Sequence, residues 1–272
     1  MDVHDHIRDI TDEECETIVA QGWVKLPGLI SPELAGLLRQ RAERWMGADG
    51  KGHQPRPGVD DEYKMGPVEN FHYPWQQDDL FGSLATSPRL ARNAAWLLHR
   101  VIPMRLLIDA VGVNIPVRQT GRNPVTTFHQ PGAGASYDRD VMGFSIALDE
   151  ARPEQGSLQF FSGSHAIGMM GSDIMTEDEV RTRFTRIAGC ELVRPQHLQP
   201  GDATAHMSTI MLGVPANQTE RSRWSYVLGY MPADTRYTGV PSRRTDGRGL
   251  AASDLIAHAD FPIVYEPTSE AV

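Results

Sequence analysis

Hydrophobic positions change their period once along this chain, near residue 104. Before that point they recur mainly at helical spacing, interrupted by one short alternating run. Thr11-Asp12-Glu13-Glu14 has the pattern of a capping box, opening a short helix that ends near Gln21-Gly22. Trp23-Val24-Lys25-Leu26 then alternates apolar and polar, which predicts a strand stopped by Pro27-Gly28. Ser31-Pro32-Glu33 places an N-cap before a proline at the first helical position, and the helix runs to about Met46. Its Leu34, Leu37, Leu38, Ala42 and Trp45 form a stripe suited to a core. Residues 48–69 are rich in Gly, Pro, Asp and Lys without period, and predict a long surface loop able to fold over a pocket. The aromatic cluster Phe71-His72-Tyr73-Pro74-Trp75 follows, either packing that loop onto the core or stacking on a substrate. A helix over about 87–100 closes this half, with Leu90, Ala94, Leu97 and Leu98 inward.

Beyond residue 104 the period falls to two. Short apolar runs at 106–115, 126–129, 142–148, 158–161, 191–193, 203–207 and 223–231 are separated by turn residues, the pattern of a barrel or sandwich. The predicted class is mainly β with flanking helices, as one domain over 1–272. The tail from 243 is basic, then acidic, with a short helix expected at 253–259.

Composition narrows the partners. With 26 Lys and Arg against 35 Asp and Glu, the formal charge of −9 disfavours nucleic acid. The chain starts without a basic, apolar leader and has no apolar run of the roughly 18 residues that cross a bilayer, so the expectation is a protein off the membrane. Cys15 and Cys190 match no metal or redox spacing and are read as reduced thiols in a cytoplasm.

An ordered set of short motifs spans nearly the whole chain, from about Glu13 to Tyr237. It comprises the helix, Gly22-Trp23-Val24-Lys25-Leu26-Pro27-Gly28 strand and Ser31-Pro32-Glu33 helix, then Phe128-His129-Gln130 and Ile146-Ala147-Leu148-Asp149-Glu150. Gln155-Gly156-Ser157-Leu158, Ser162-Gly163-Ser164-His165, Gly201-Asp202 and Asn217-Gln218-Thr219 up to Arg223 complete it. Together these resemble the phytanoyl-CoA dioxygenase family, iron(II) and 2-oxoglutarate oxygenases on a double-stranded β-helix, a jelly-roll, cupin-like core. The resemblance implies a tight turn at Gly163-Ser164. It also implies a turn at Gly201-Asp202 opening the strand of the second histidine ligand.

The ligand positions depart from that pattern. His129 matches the first ligand, Pro131 stands at the carboxylate and Leu212 at the second histidine. The family's carboxylate-gripping arginine is matched by Arg223, 223 − 212 = 11 positions later, and a guanidinium suits that task because its planar fork makes paired hydrogen bonds. Halogenating relatives lose the carboxylate alone, so the double loss does not point to halogenation. Asp138 and Asp140 are loop acids nearby, and His206, extended six residues from Leu212, would lie roughly 20 Å from it.

The residues therefore predict a degenerate facial triad. No cofactor is expected, with iron and 2-oxoglutarate the less favoured alternatives. A redox-neutral isomerase, cyclase or lyase of natural-product biosynthesis is expected, acting on an apolar small molecule. In it His129 is the general acid or base, Gln130 or Tyr137 orients the substrate, and Arg223, Phe71 and Trp75 bind it. His129 as a packing residue, a non-catalytic carboxylate binder, and an oxygenase with unusual ligation stand as alternatives. A homodimer, or a heterodimer with an intact relative, is the expected assembly if there is one.

Overall fold

Thr11 caps the first helix by accepting from the Glu14 amide at 3.2 Å, while the Glu14 carboxylate accepts from the Thr11 amide at 2.8 Å. Such a cap contributes about 1 kcal/mol. The computed structural model describes residues 2–51, 68–120, 125–171, 173–242 and 244–267. Most of the loop expected over 48–69 lies outside the described residues.

The helical half holds α1 (Asp12–Gln21), β1 (Trp23–Leu26), α2 (Pro32–Met46), β2 (Val68–His72), α3 (Asp79–Ala85) and α4 (Pro88–Leu97). The β half holds β3 (Met104–Asn114), α5 (Val117–Thr120), β4 (Thr127–His129), β5 (Met142–Ala147), β6 (Gln159–Phe161), β7 (Met175–Thr176) and α6 (Glu177–Arg183). It continues with β8 (Leu192–Val193), β9 (Ala203–Met207), β10 (Leu212–Gly213), β11 (Arg223–Pro232) and β12 (Ile263–Tyr265).

The strands form two antiparallel sheets. The larger runs β1-β9-β5-β11-β3-β12 with β2 also on β3, and the smaller runs β7-β4-β10-β6-β8. The chain crosses between the sheets at β3-β4-β5-β6 and again at β8-β9-β10-β11, which makes this a jelly roll rather than a meander.

Strand alternation decides what each face of the large sheet does. Trp224, Tyr226, Leu228 and Tyr230 of β11 join Phe144, Ile146, Val111, Val113, Ala203 and Ala205 in the principal core, under α2, α3 and α4. Phe81 meets Tyr226 edge-on at 4.9 Å, and the Tyr230 hydroxyl donates to the Ala85 carbonyl at 2.8 Å. Each fully buried large side chain there contributes roughly 1.5–3 kcal/mol. The alternate positions, Arg223, Ser225, Val227 and Gly229, face the smaller sheet.

Several expectations change. The helix at 253–259 does not form: Leu255 bridges Arg236, and Ile256 and Phe261 pack on Leu107, Val141 and Met231. The single helix over 87–100 ends at Leu97, and α3 precedes it, capped by Asp78. Gly163 and Gly201 adopt the left-handed conformations their turns require, φ 83° and 92°. Gly201-Asp202 opens β9, however, whereas the second-histidine position, Leu212, lies on the following strand, β10.

Candidate functional site

His129 ends β4, and its register partner on β10 is Leu212, whose other partner is Phe160 of β6. Directly paired residues share a face, so His129, Leu212 and Phe160 form one row across the small sheet. That row points at the large sheet, because Trp23 of β1 stacks on Phe160 at 4.7 Å with the rings 10° apart. Trp23, Phe160, Ile210 and Leu212 form an apolar cluster joining the two sheets. The other side of the small sheet, with Phe128, Phe161 and Met211, packs beneath α6.

Opposite this row, the inner face of the large sheet is lined by small side chains. Register places Gly112, Ser225 and Ala147 abreast, then Ala110, Val227, Ser145 and Thr204, then Gly229, Gly143 and His206. Gly143 is required beside His206, since a Cβ there would lie 2.6 Å from the imidazole Nε2. His206 was expected roughly 20 Å from Leu212, and that expectation fails. The chain turns after Met207, with the Ile210 amide donating to the Met207 carbonyl at 3.3 Å, and β10 returns in the other sheet. His206 then lies 6.0 Å from Phe160, ring to ring.

Burial sets the charge of these groups. It lowers the His129 pKa, and it takes His206 down to about 4, helped by repulsion from a protonated His129. Both imidazoles are therefore neutral at pH 7. Arg223, 5% exposed, falls to about 10 through burial, which Asp149 partly offsets, so it stays cationic. Asp149 is raised by burial, against the Trp224 amide it accepts from at 3.0 Å and the nearby Arg39 and Arg223. Arg223 Nε has no protein partner. An arginine cation with an unpartnered donor, with Ser225 two residues on along the same face, suits a carboxylate.

The other expected site residues are placed differently. The Gln130 amide is spent on backbone: Nε2 donates to the Gly168 carbonyl at 3.0 Å and to the Thr209 carbonyl, and Oε1 accepts from the Met170 amide at 2.6 Å. It clips loops together, and both of its amide donors are taken by backbone carbonyls. Tyr137 donates to the Pro131 carbonyl at 3.4 Å and packs with the cluster around Val141 and Met231. Phe71 and Trp75 are corrected too. Phe71 stacks on Trp45 at 4.7 Å on the helix side of the sheet, and Trp75 packs on the same core with its amide on Asp109. Neither lines the inner face. Thr204, Ser225 and His206 were not among the expected residues, although the alternation Ala203-Thr204-Ala205-His206 puts two of them on one face.

An iron triad does not fit the residues present. Pro131 and Leu212 carry no donor. The two loop acids are engaged elsewhere, Asp138 with the Arg236 amide at 2.8 Å and Asp140 with the Ser208 hydroxyl at 2.7 Å. Among the described residues no group of three or more His, Cys, Asp or Glu is placed to hold a metal ion. Nor is any of their helices long and apolar enough to cross a membrane.

Comparison with known proteins gives a family and a fold. The family profile described as phytanoyl-CoA dioxygenase (PhyH) matches residues 18–225. The alpha-ketoglutarate-dependent carbocyclase SnoK of nogalamycin biosynthesis superposes with a TM-score of 0.72 at 21% identity, over 93% of this chain and 96% of its own. The epimerase SnoN, solved with Fe3+, alpha-ketoglutarate and nogalamycin RO, gives 0.74 at 20% identity, over 93% and 98%. EctD from S. alaskensis with bound Fe gives 0.65 at 18%, over 90% and 87%. No curated protein matches in sequence. The expectation of no cofactor is overturned by these structures, because proteins of this fold hold iron and alpha-ketoglutarate.

Proposed function

The chain belongs to the phytanoyl-CoA dioxygenase family, and from that premise we propose that it is an enzyme rearranging a small carboxylic acid, by isomerisation, ring closure or epimerisation, without net oxidation. The observation that carries this reading is the pairing of two inward groups. A neutral imidazole, His129, stands beside donor-less Leu212 on the small sheet, and a buried guanidinium, Arg223, lies on the large one. Arg223 holds the substrate carboxylate with Ser225 beside it. His129 takes a proton from carbon and returns one at the same or another position, so the atoms of product and substrate are the same. Where iron and 2-oxoglutarate act in relatives, the carboxylate end is retained here and the metal end is altered. Biosynthesis of a natural product is the setting that SnoK and SnoN suggest, one named a carbocyclase and the other an epimerase.

The test is mass spectrometry of small-molecule extracts incubated with the protein in D2O, with and without added iron(II) and 2-oxoglutarate. The expected product has the substrate's composition with one deuterium exchanged in, and it disappears with His129→Ala and with Arg223→Met. A product heavier by one oxygen, formed with release of succinate, would establish the oxygenase reading instead.

A further inference from the structure

Three buried polar atoms on the inner face of the large sheet have no protein partner: Thr204 Oγ1, His206 Nδ1 and Arg223 Nε. Thr204 is 2% exposed and His206 8%. A buried donor or acceptor left alone costs about 1–3 kcal/mol, and three on one face of one sheet mark a place built for a ligand. Thr204 and His206 are two residues apart on β9 and share that face, while the residues between them and Arg223 are Gly, Ala, Ser and Val.

Register gives the spacing. Thr204 pairs with Ser145 and Ser145 with Val227, four residues along β11 from Arg223. That is roughly 13 Å along the strands and about 10 Å across two strand spacings, or roughly 16 Å between the Cα atoms. Both side chains rise from the same face of the sheet, so a ligand that meets both has to span several carbon–carbon bonds between guanidinium and hydroxyl.

We propose that Thr204 and His206 form a second polar subsite, which takes a carbonyl oxygen of a substrate whose carboxylate is held at Arg223. The substrate class is thus an oxo acid whose ketone lies several carbons from its carboxylate. This inference rests on the carboxylate role of Arg223 argued above. Thr204 donates its hydroxyl hydrogen and the neutral His206 donates Nδ1–H to the same oxygen. In this reading His129, on the facing sheet, takes a proton from the carbon beside that carbonyl. The negative charge moving onto the oxygen is then stabilised by two fixed donors in a dry site, and the proton returned to carbon restores the ketone. Nothing is oxidised.

The test uses the intact protein and isothermal titration with 4-oxopentanoate, 5-oxohexanoate, 6-oxoheptanoate and 7-oxooctanoate, each against the unsubstituted acid of equal length. The expected result is an oxo-acid preference of about tenfold at one chain length of the series, the size of one or two added hydrogen bonds. Thr204→Val and His206→Phe each reduce the preference without weakening the plain acids, Thr204→Ser retains it, and Arg223→Met weakens both kinds of acid together. Arg223-dependent binding with no preference for the oxo acids, or a preference that survives Thr204→Val and His206→Phe, overturns the subsite and leaves the Arg223 anchor standing. Binding indifferent to Arg223→Met, or no binding of any of these acids, overturns the anchor and the subsite with it.

Discussion

Leu212 lies directly opposite His129 across the β4–β10 pair, with Phe160 on its other flank. The Leu212 side chain is 4% exposed and packed on Trp23 and Phe160. Leu212 is thus a structural link between the sheets.

Returning donors to that row tightens metal binding. Pro131→Asp and Leu212→His together supply a carboxylate and a second imidazole beside His129. They raise iron(II) affinity at least about 100-fold over the parent. Anaerobic calorimetric titration of the two proteins checks this, and equal affinities would mean that the row does not form the old ligand geometry.

The cluster itself is worth a measurable share of stability. Leu212→Ala opens a cavity between the sheets and costs about 2–5 kcal/mol, and Phe160→Ala, which also unstacks Trp23, about 3–5 kcal/mol. Urea denaturation followed by Trp fluorescence reports both, and a loss below about 1 kcal/mol for Phe160→Ala would contradict the packing.

Gly143→Ala drives a methyl group to within 2.6 Å of His206 Nε2. Because the obstacle is a side chain, the imidazole shifts instead of the backbone. The expected outcome is a modest stability loss of about 1–3 kcal/mol. A displaced His206 ring resonance by NMR is expected with it, and an unmoved resonance would refute the close approach.

His206 also predicts how stability varies with pH. Its folded pKa of about 4 lies below the unfolded value of about 6.5, so the unfolded chain binds the extra proton first. The contribution is fully present above about pH 6.5, falls as pH drops towards about 4, and amounts to on the order of 3 kcal/mol. His206→Phe flattens that slope in urea melts between pH 7 and 4, and an unchanged slope would show that other groups dominate.

The residue pattern made the two-period layout legible because burial on one face leaves a period in sequence. Capping boxes and prolines likewise marked helix starts that depend on neighbours three residues away. The site was legible only in part. His129, Leu212 and Arg223 could be placed by motif order, but Gln130 and Phe71 have residue types compatible with either chemistry or packing. Only the partners of Gln130, three backbone groups drawn from two loops, decide for packing. His206 was hidden for another reason. Its separation from Leu212 depends on whether residues 208–211 extend or turn, and no Gly or Pro marks the reversal there.

The pairing of Trp23 with His206 has a consequence for how the protein is made. The two are 206 − 23 = 183 residues apart, and Trp23 reaches its stacking partner Phe160 only in the closed sandwich. At about 5–20 residues per second, a ribosome exposes Trp23 roughly 10–40 seconds before β9 emerges. During that interval the edge of β1 and its indole are unpaired. Capture of the chain's earliest strand therefore waits on one of its later ones, a high-contact-order closure that favours slow folding and engagement by chaperones during synthesis.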